Sequence, residues 1–173
     1  MKLIRYSLAL VALSSMVATD ALACTVIAAG KKATADGCVL ISHTDTGPDS
    51  RIFFVPGRIF KPGEMAPVFA GIQDADRPLN DDGKILGYIP QVEKTYGYFQ
   101  SAYSHMNEVQ LGIAESTTSQ RDELKCTFET GKGIMTIEQA MIYALQRYKK
   151  ASEATRFIGD LMTKYGFVPS SGD

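Results

Sequence analysis

Hydrophobic and polar positions follow two different periods along this chain, and the change falls near residue 136. The first part is β-like. Thr25-Val26-Ile27-Ala28-Ala29 is a short run of β-forming residues. Gly30 to Gly37 is turn-rich and ends in Asp36-Gly37, a strong hairpin signal. Cys38-Val39-Leu40-Ile41-Ser42-His43 reads as a second strand, apolar enough to predict burial on both faces. Antiparallel pairing of the two runs brings His43-Thr44-Asp45 beside Cys24. Arg51 to Val55 predicts a third strand, and Pro56 to Pro67, rich in Pro and Gly, predicts loop. Met65 to Ala70 has room for a short strand. Asp74 to Pro90 is polar and turn-prone around Asn80-Asp81-Asp82-Gly83 and reads as a long loop. Glu93 to His105 alternates and carries Tyr96, Tyr98 and Phe99, which favour strand. Met106-Asn107-Glu108 predicts a turn. Val109 to Glu115 predicts a strand, with Val109, Leu111 and Ile113 on one face.

Beyond residue 135 the period becomes helical. Thr136 and Gln139 are spaced as a capping box. Ile137, Ala140, Met141, Ala144, Leu145 and Tyr148 fall on one helical face. A second helix is predicted from Ser152, with Ala154, Phe157, Ile158, Leu161, Met162 and Tyr165 inward and Gly166 as its C-cap. The methionines in these stripes read as core filler. Strands followed by a helical hairpin predict an α+β fold in which the helices cover the strands. The chain shows no internal repeat and no low-complexity tract.

The N-terminus has a different grammar. Lys2 and Arg5 precede an apolar run from Leu8 to Ala18, and Ala21 and Ala23 stand where a signal peptidase requires small residues. The run is shorter than the ~20 residues of a membrane span, and no second long apolar run follows it. Residues 1–23 therefore read as a signal peptide and residues 24–173 as one domain, exported to the periplasm or the extracellular space. Cleavage removes Lys2, Arg5 and Asp20 and shifts the net charge from −1 to −2, which gives no electrostatic reason to expect nucleic acid. Three cysteines, Cys24, Cys38 and Cys126, are an odd number for an exported chain. A Cys38–Cys126 bridge with Cys24 left over is one arrangement, and sequence alone leaves the pairing open. The two histidines, His43 and His105, lack the spacings of a structural zinc site, so no metal or cofactor is expected.

Cleavage before Cys24 gives one residue both a thiol and a free α-amine. Their ordinary pKa values, about 8.5 and about 7.7–8.0, allow proton exchange near neutral pH. In order and spacing, Ala23-Cys24-Thr25-Val26-Ile27-Ala28-Ala29-Gly30-Lys31-Lys32-Ala33, Asp36-Gly37, Ile41-Ser42-His43-Thr44-Asp45, Asn107-Glu108-x-Gln110, Glu115-Ser116-Thr117-Thr118 and Ala144-Leu145-Gln146-Arg147 resemble the secreted dipeptidases related to dipeptidase A, N-terminal-nucleophile (Ntn) hydrolases. The resemblance implies an αββα sandwich and hydrolysis of dipeptides through an acyl-enzyme on Cys24. It also implies that Asp45 orients the α-amine and that Asn107 helps to hold the oxyanion. Relatives continue past a stretch like Ser170-Ser171-Gly172-Asp173, so the resemblance implies an N-terminal portion, an incomplete sandwich and exposed apolar edges. Two other readings compete: an acylase-like hydrolase of non-peptide amides, and a non-catalytic lipoprotein or binding module anchored through a lipidated Cys24.

Overall fold

The first two β-type runs close into a hairpin. In the computed structural model, which describes residues 25–44, 51–70, 84–116, 121–124 and 130–168, β1 (Val26–Ala29) pairs antiparallel with β2 (Leu40–His43), Val26 opposite His43 and Ala29 opposite Leu40. The turn works as the Asp36-Gly37 signal requires. Asp36 Oδ1 accepts the Cys38 N–H at 3.0 Å, and Gly37 takes φ +75°, a conformation that favours glycine. The expectation of a strand buried on both faces is overturned. Leu40 keeps 58% of its surface exposed, and Val39 and Ile27 are exposed as well. An apolar run marks a strand able to be covered; covering it takes a layer, and none lies over this face among the described residues. Cys38 is a free, exposed thiol, so it is not in a disulfide; Cys126 lies outside the described residues.

Two more small antiparallel sheets follow. In one, β3 (Phe53–Val55) pairs with β6 (Tyr98–Gln100), which pairs with β7 (Met106–Asn107). In the other, β4 (Met65–Phe69) pairs with β5 (Ile85–Pro90), with a register shift at Val68/Phe69. The strand β5 corrects the loop expected up to Pro90. Gly87 and Pro90 dilute its pattern, yet Ile89 is fully buried, and at Gly87 a Cβ would stand 2.6 Å from Ile134 Cδ1. The strand expected over Val109–Glu115 is also corrected. Gln110 takes φ +66° and reverses the chain, so the following residues pair back on their own neighbours: Asn107 N–H on Leu111 O, Ile113 N–H on His105 O.

The helices agree with their period. Helix α1 (Ile137–Arg147) begins at Thr136, whose hydroxyl accepts the Gln139 N–H at 3.4 Å. The reciprocal half of the box is absent, because Gln139 Oε1 faces the Phe69 N–H at 3.5 Å, at the end of β4. Helix α1 is buried on all sides from Glu138 to Leu145, a wider contact than the single predicted face. Ala140 and Tyr143 pack with Val68 and Ile89, while Ile142 and Leu145 pack with Tyr98 and Leu111. Each large apolar side chain so buried contributes about 1.5–3 kcal/mol. Helix α2 (Ala151–Tyr165) starts one residue before the predicted Ser152 and presents the predicted face, Ala154, Phe157, Ile158 and Leu161, to the same cores. Gly166 caps it at φ +70°, its N–H on Met162 O. Met141 is fully buried and Met162 packs against the core, the filler role the stripes predict. Among the described residues no helix is long and apolar enough to cross a membrane.

Candidate active site

The hairpin register fixes the residue that follows Cys24. Thr25 donates its N–H to Thr44 Oγ1 at 2.9 Å, and its carbonyl accepts the Thr44 N–H at 3.0 Å. Thr44 thus grips both backbone groups of Thr25. Cys24 and Asp45 lie outside the described residues; each adjoins one partner of this clamp in the chain. The juxtaposition of His43-Thr44 with the start of β1 is therefore as predicted, and Thr44 is the residue that secures it. Sequence reasoning passed over Thr44 as one letter of a motif, although a threonine at a strand end opposite a backbone N–H is a competent acceptor. Thr44→Val is expected to speed hydrogen exchange of the Thr25 amide by about tenfold, the worth of one net hydrogen bond. Thr44→Ser is expected to leave it unchanged.

One step along, His43 joins the hairpin to the body. It is half-buried, its Nδ1 accepts the Glu115 N–H at 3.4 Å, and its ring meets that of buried Tyr103 edge-on at 6.4 Å. Close by, Gly112 lets the chain pass: a Cβ there would stand 3.0 Å from Ile41 Cγ2 and 3.8 Å from His105 O. His105 stacks on Phe99 at 6.1 Å. Burial, and then the neighbouring His43, hold the His105 pKa below the usual imidazole value. A base depressed in the fold binds fewer protons than in the unfolded chain. Its contribution to stability is therefore lost as pH falls through the imidazole range.

Asn107 is placed differently from a group poised over a substrate. It is 2% exposed. Its two amide hydrogens go to Leu145 O at 2.7 Å and Tyr148 O at 2.8 Å, its Oδ1 accepts the Leu111 N–H at 2.8 Å, and its own N–H goes to Leu111 O. No N–H of Asn107 is left to hold an oxyanion. The residue instead fastens the 107–111 turn to the end of α1. Among the described residues no cluster of His, Cys, Asp and Glu could hold a metal ion.

The sequence profile of peptidase family C69 matches residues 23–172, the span that carries the Thr25–Thr44 clamp, the His43 contact and Asn107. The chain belongs to this family, the cysteine peptidases of the dipeptidase A type. No curated protein and no solved structure matches the chain. Membership in family C69 makes peptides the substrate class. A cysteine peptidase needs a thiol as nucleophile. Cys38 is exposed but sits in the hairpin turn, at the far end of the hairpin from the clamp. Cys24 adjoins the clamp in the chain and is the second residue of the matched region.

Proposed function

We propose that this protein is an exported dipeptidase whose nucleophile is Cys24 at the mature N-terminus, generated by removal of residues 1–23. The observation that carries the reading is the family C69 match together with the double hold of Thr44 on Thr25, the residue next to Cys24. A nucleophile on a chain terminus has no preceding residue to fix it, so the following one must be held.

In this mechanism the α-amine takes the thiol proton and the Cys24 thiolate attacks the peptide carbonyl. The C–S bond forms, the C–N bond breaks, and the amine passes its proton to the leaving amino group. Water, deprotonated by the same amine, then cleaves the thioester, releases the N-terminal amino acid as its acid and restores the thiol. Asp45 orients the α-amine and favours its charged form. Asn107 serves by fastening the 107–111 turn to the end of α1, and other N–H groups stabilise the oxyanion. We place this chemistry in an αββα sandwich; the helical hairpin packed on two small sheets, and the exposed apolar face of the β1–β2 hairpin, support that reading.

The purified mature protein assayed against dipeptides and against N-acyl amides of the penicillin and bile-salt type tests the proposal. Release of amino acids from dipeptides alone is expected. Turnover confined to the N-acyl amides overturns the dipeptidase reading, and turnover of neither by the whole exported protein overturns the enzyme.

A further inference from the structure

We propose that His43 is the latch that seats the nucleophile-bearing hairpin on the body of the protein, and that it holds only as the neutral imidazole. The catalytic weight of the latch rests on the reading of Cys24 above; the latch itself does not.

Three observations converge on this junction. His43 lies directly across the ladder from Val26, two residues past Cys24. Its Nδ1 receives a backbone N–H from Glu115, on the segment that packs back on His105. Ile41, two residues earlier on β2, fills the gap left by Gly112 of that same segment. The rest of the hairpin is largely exposed, so this edge fixes its angle to the body. To accept the Glu115 N–H, Nδ1 must be without a proton, which puts the single ring hydrogen on Nε2. A second proton places two donors face to face and breaks the bond. Among the described residues, the titratable groups on the segments around His43 are Tyr103, His105 and Glu115; Asp45, two residues on in the chain, lies outside them. Tyr103 is uncharged in this range. None of these groups restores an acceptor at Nδ1 once the ring carries both protons. Protonation of Nδ1 thus frees the hairpin while the helical core stays closed.

Hydrogen exchange measured by mass spectrometry, corrected for intrinsic rates, tests this in the mature protein and two variants. In the wild type, protection of residues 26–29 is expected to fall about tenfold between roughly pH 7.5 and 5.5, with α1 unchanged. His43→Asn offers a non-titrating acceptor and is expected to keep protection at both pH values. His43→Leu is expected to lose it at both, and to lower kcat for a dipeptide with KM unchanged. Wild-type protection that does not vary with pH overturns the latch, as does an Asn variant that falls as the wild type does. If the Leu variant unfolds, as loss of α1 protection would reveal, the other two arms decide. A protein that hydrolyses no peptide yet shows the pH-dependent exchange refutes the peptidase reading and keeps the latch.

Discussion

Cys24→Ala is expected to lower dipeptide turnover by about 10⁴-fold or more, with no change in thermal stability. The magnitude follows from the role: losing the nucleophile removes the covalent route altogether, and what remains is binding and oxyanion stabilisation. Adding one residue ahead of Cys24 is the sharper variant. It leaves the thiol in place but moves the free amine to another Cα. Loss of activity comparable with Cys24→Ala is expected, because the base has left the nucleophile. Full activity in that extended form would mean that another group takes the thiol proton. Thiol labelling is informative only in a Cys38→Ser background, since Cys38 is free and exposed and competes for any alkylating reagent.

Asn107→Ala is expected to give the largest loss of stability of any polar substitution discussed here, about 3 kcal/mol, or about 6–12 °C in Tm for a domain of this size. Truncation strands the Leu145 and Tyr148 carbonyls and the Leu111 N–H, three backbone groups that the carboxamide satisfies from a site closed to solvent. Asn107→Asp keeps the acceptor for Leu111 but turns a carboxylate toward two carbonyls, and is expected to be no milder. If Asn107 donated to an oxyanion, either variant would lose kcat while melting normally. A positioning role predicts the reverse order: melting falls first, and turnover recovers on cooling well below the transition. Thermal melts monitored by circular dichroism beside assays at two temperatures separate the two.

What was legible in the sequence divides along physical lines. Local signals held. The Asp36-Gly37 turn, the Thr136 N-cap, the Gly166 C-cap and the inward stripe of α2 depend on near neighbours, and each is found where its residues put it. The β1–β2 register was also readable, because a tight turn between two short runs leaves little freedom in how they pair. Readings that depend on distant partners failed. Cys38 to His43 has the composition of a doubly covered strand, but composition states what a strand tolerates and not what lies over it. Val109 to Ile113 alternates like a strand, yet Gln110 at positive φ and the hold of Asn107 on Leu111 turn it into a loop wrapped on α1. The strand β5 hid behind Gly87, which is small because Ile134 occupies its place.

The candidate site was legible as a place more than as a set of roles. Antiparallel pairing put His43-Thr44 at the start of β1, and the Thr25–Thr44 hydrogen bonds bear this out; Asp45 lies outside the described residues. It could not reveal that Thr44 supplies the grip, or that the Asn107 carboxamide is fully engaged, since both depend on which backbone atoms come within about 3 Å.

The central claim is that sulfur and nitrogen of one terminal residue share the proton of catalysis. N-terminal sequencing with intact mass of the exported protein tests it most directly. The account predicts a chain beginning at Cys24 with a free amine and an unmodified thiol. A mature chain that starts at any other residue, or a Cys24 whose amine or sulfur carries acyl chains, contradicts it.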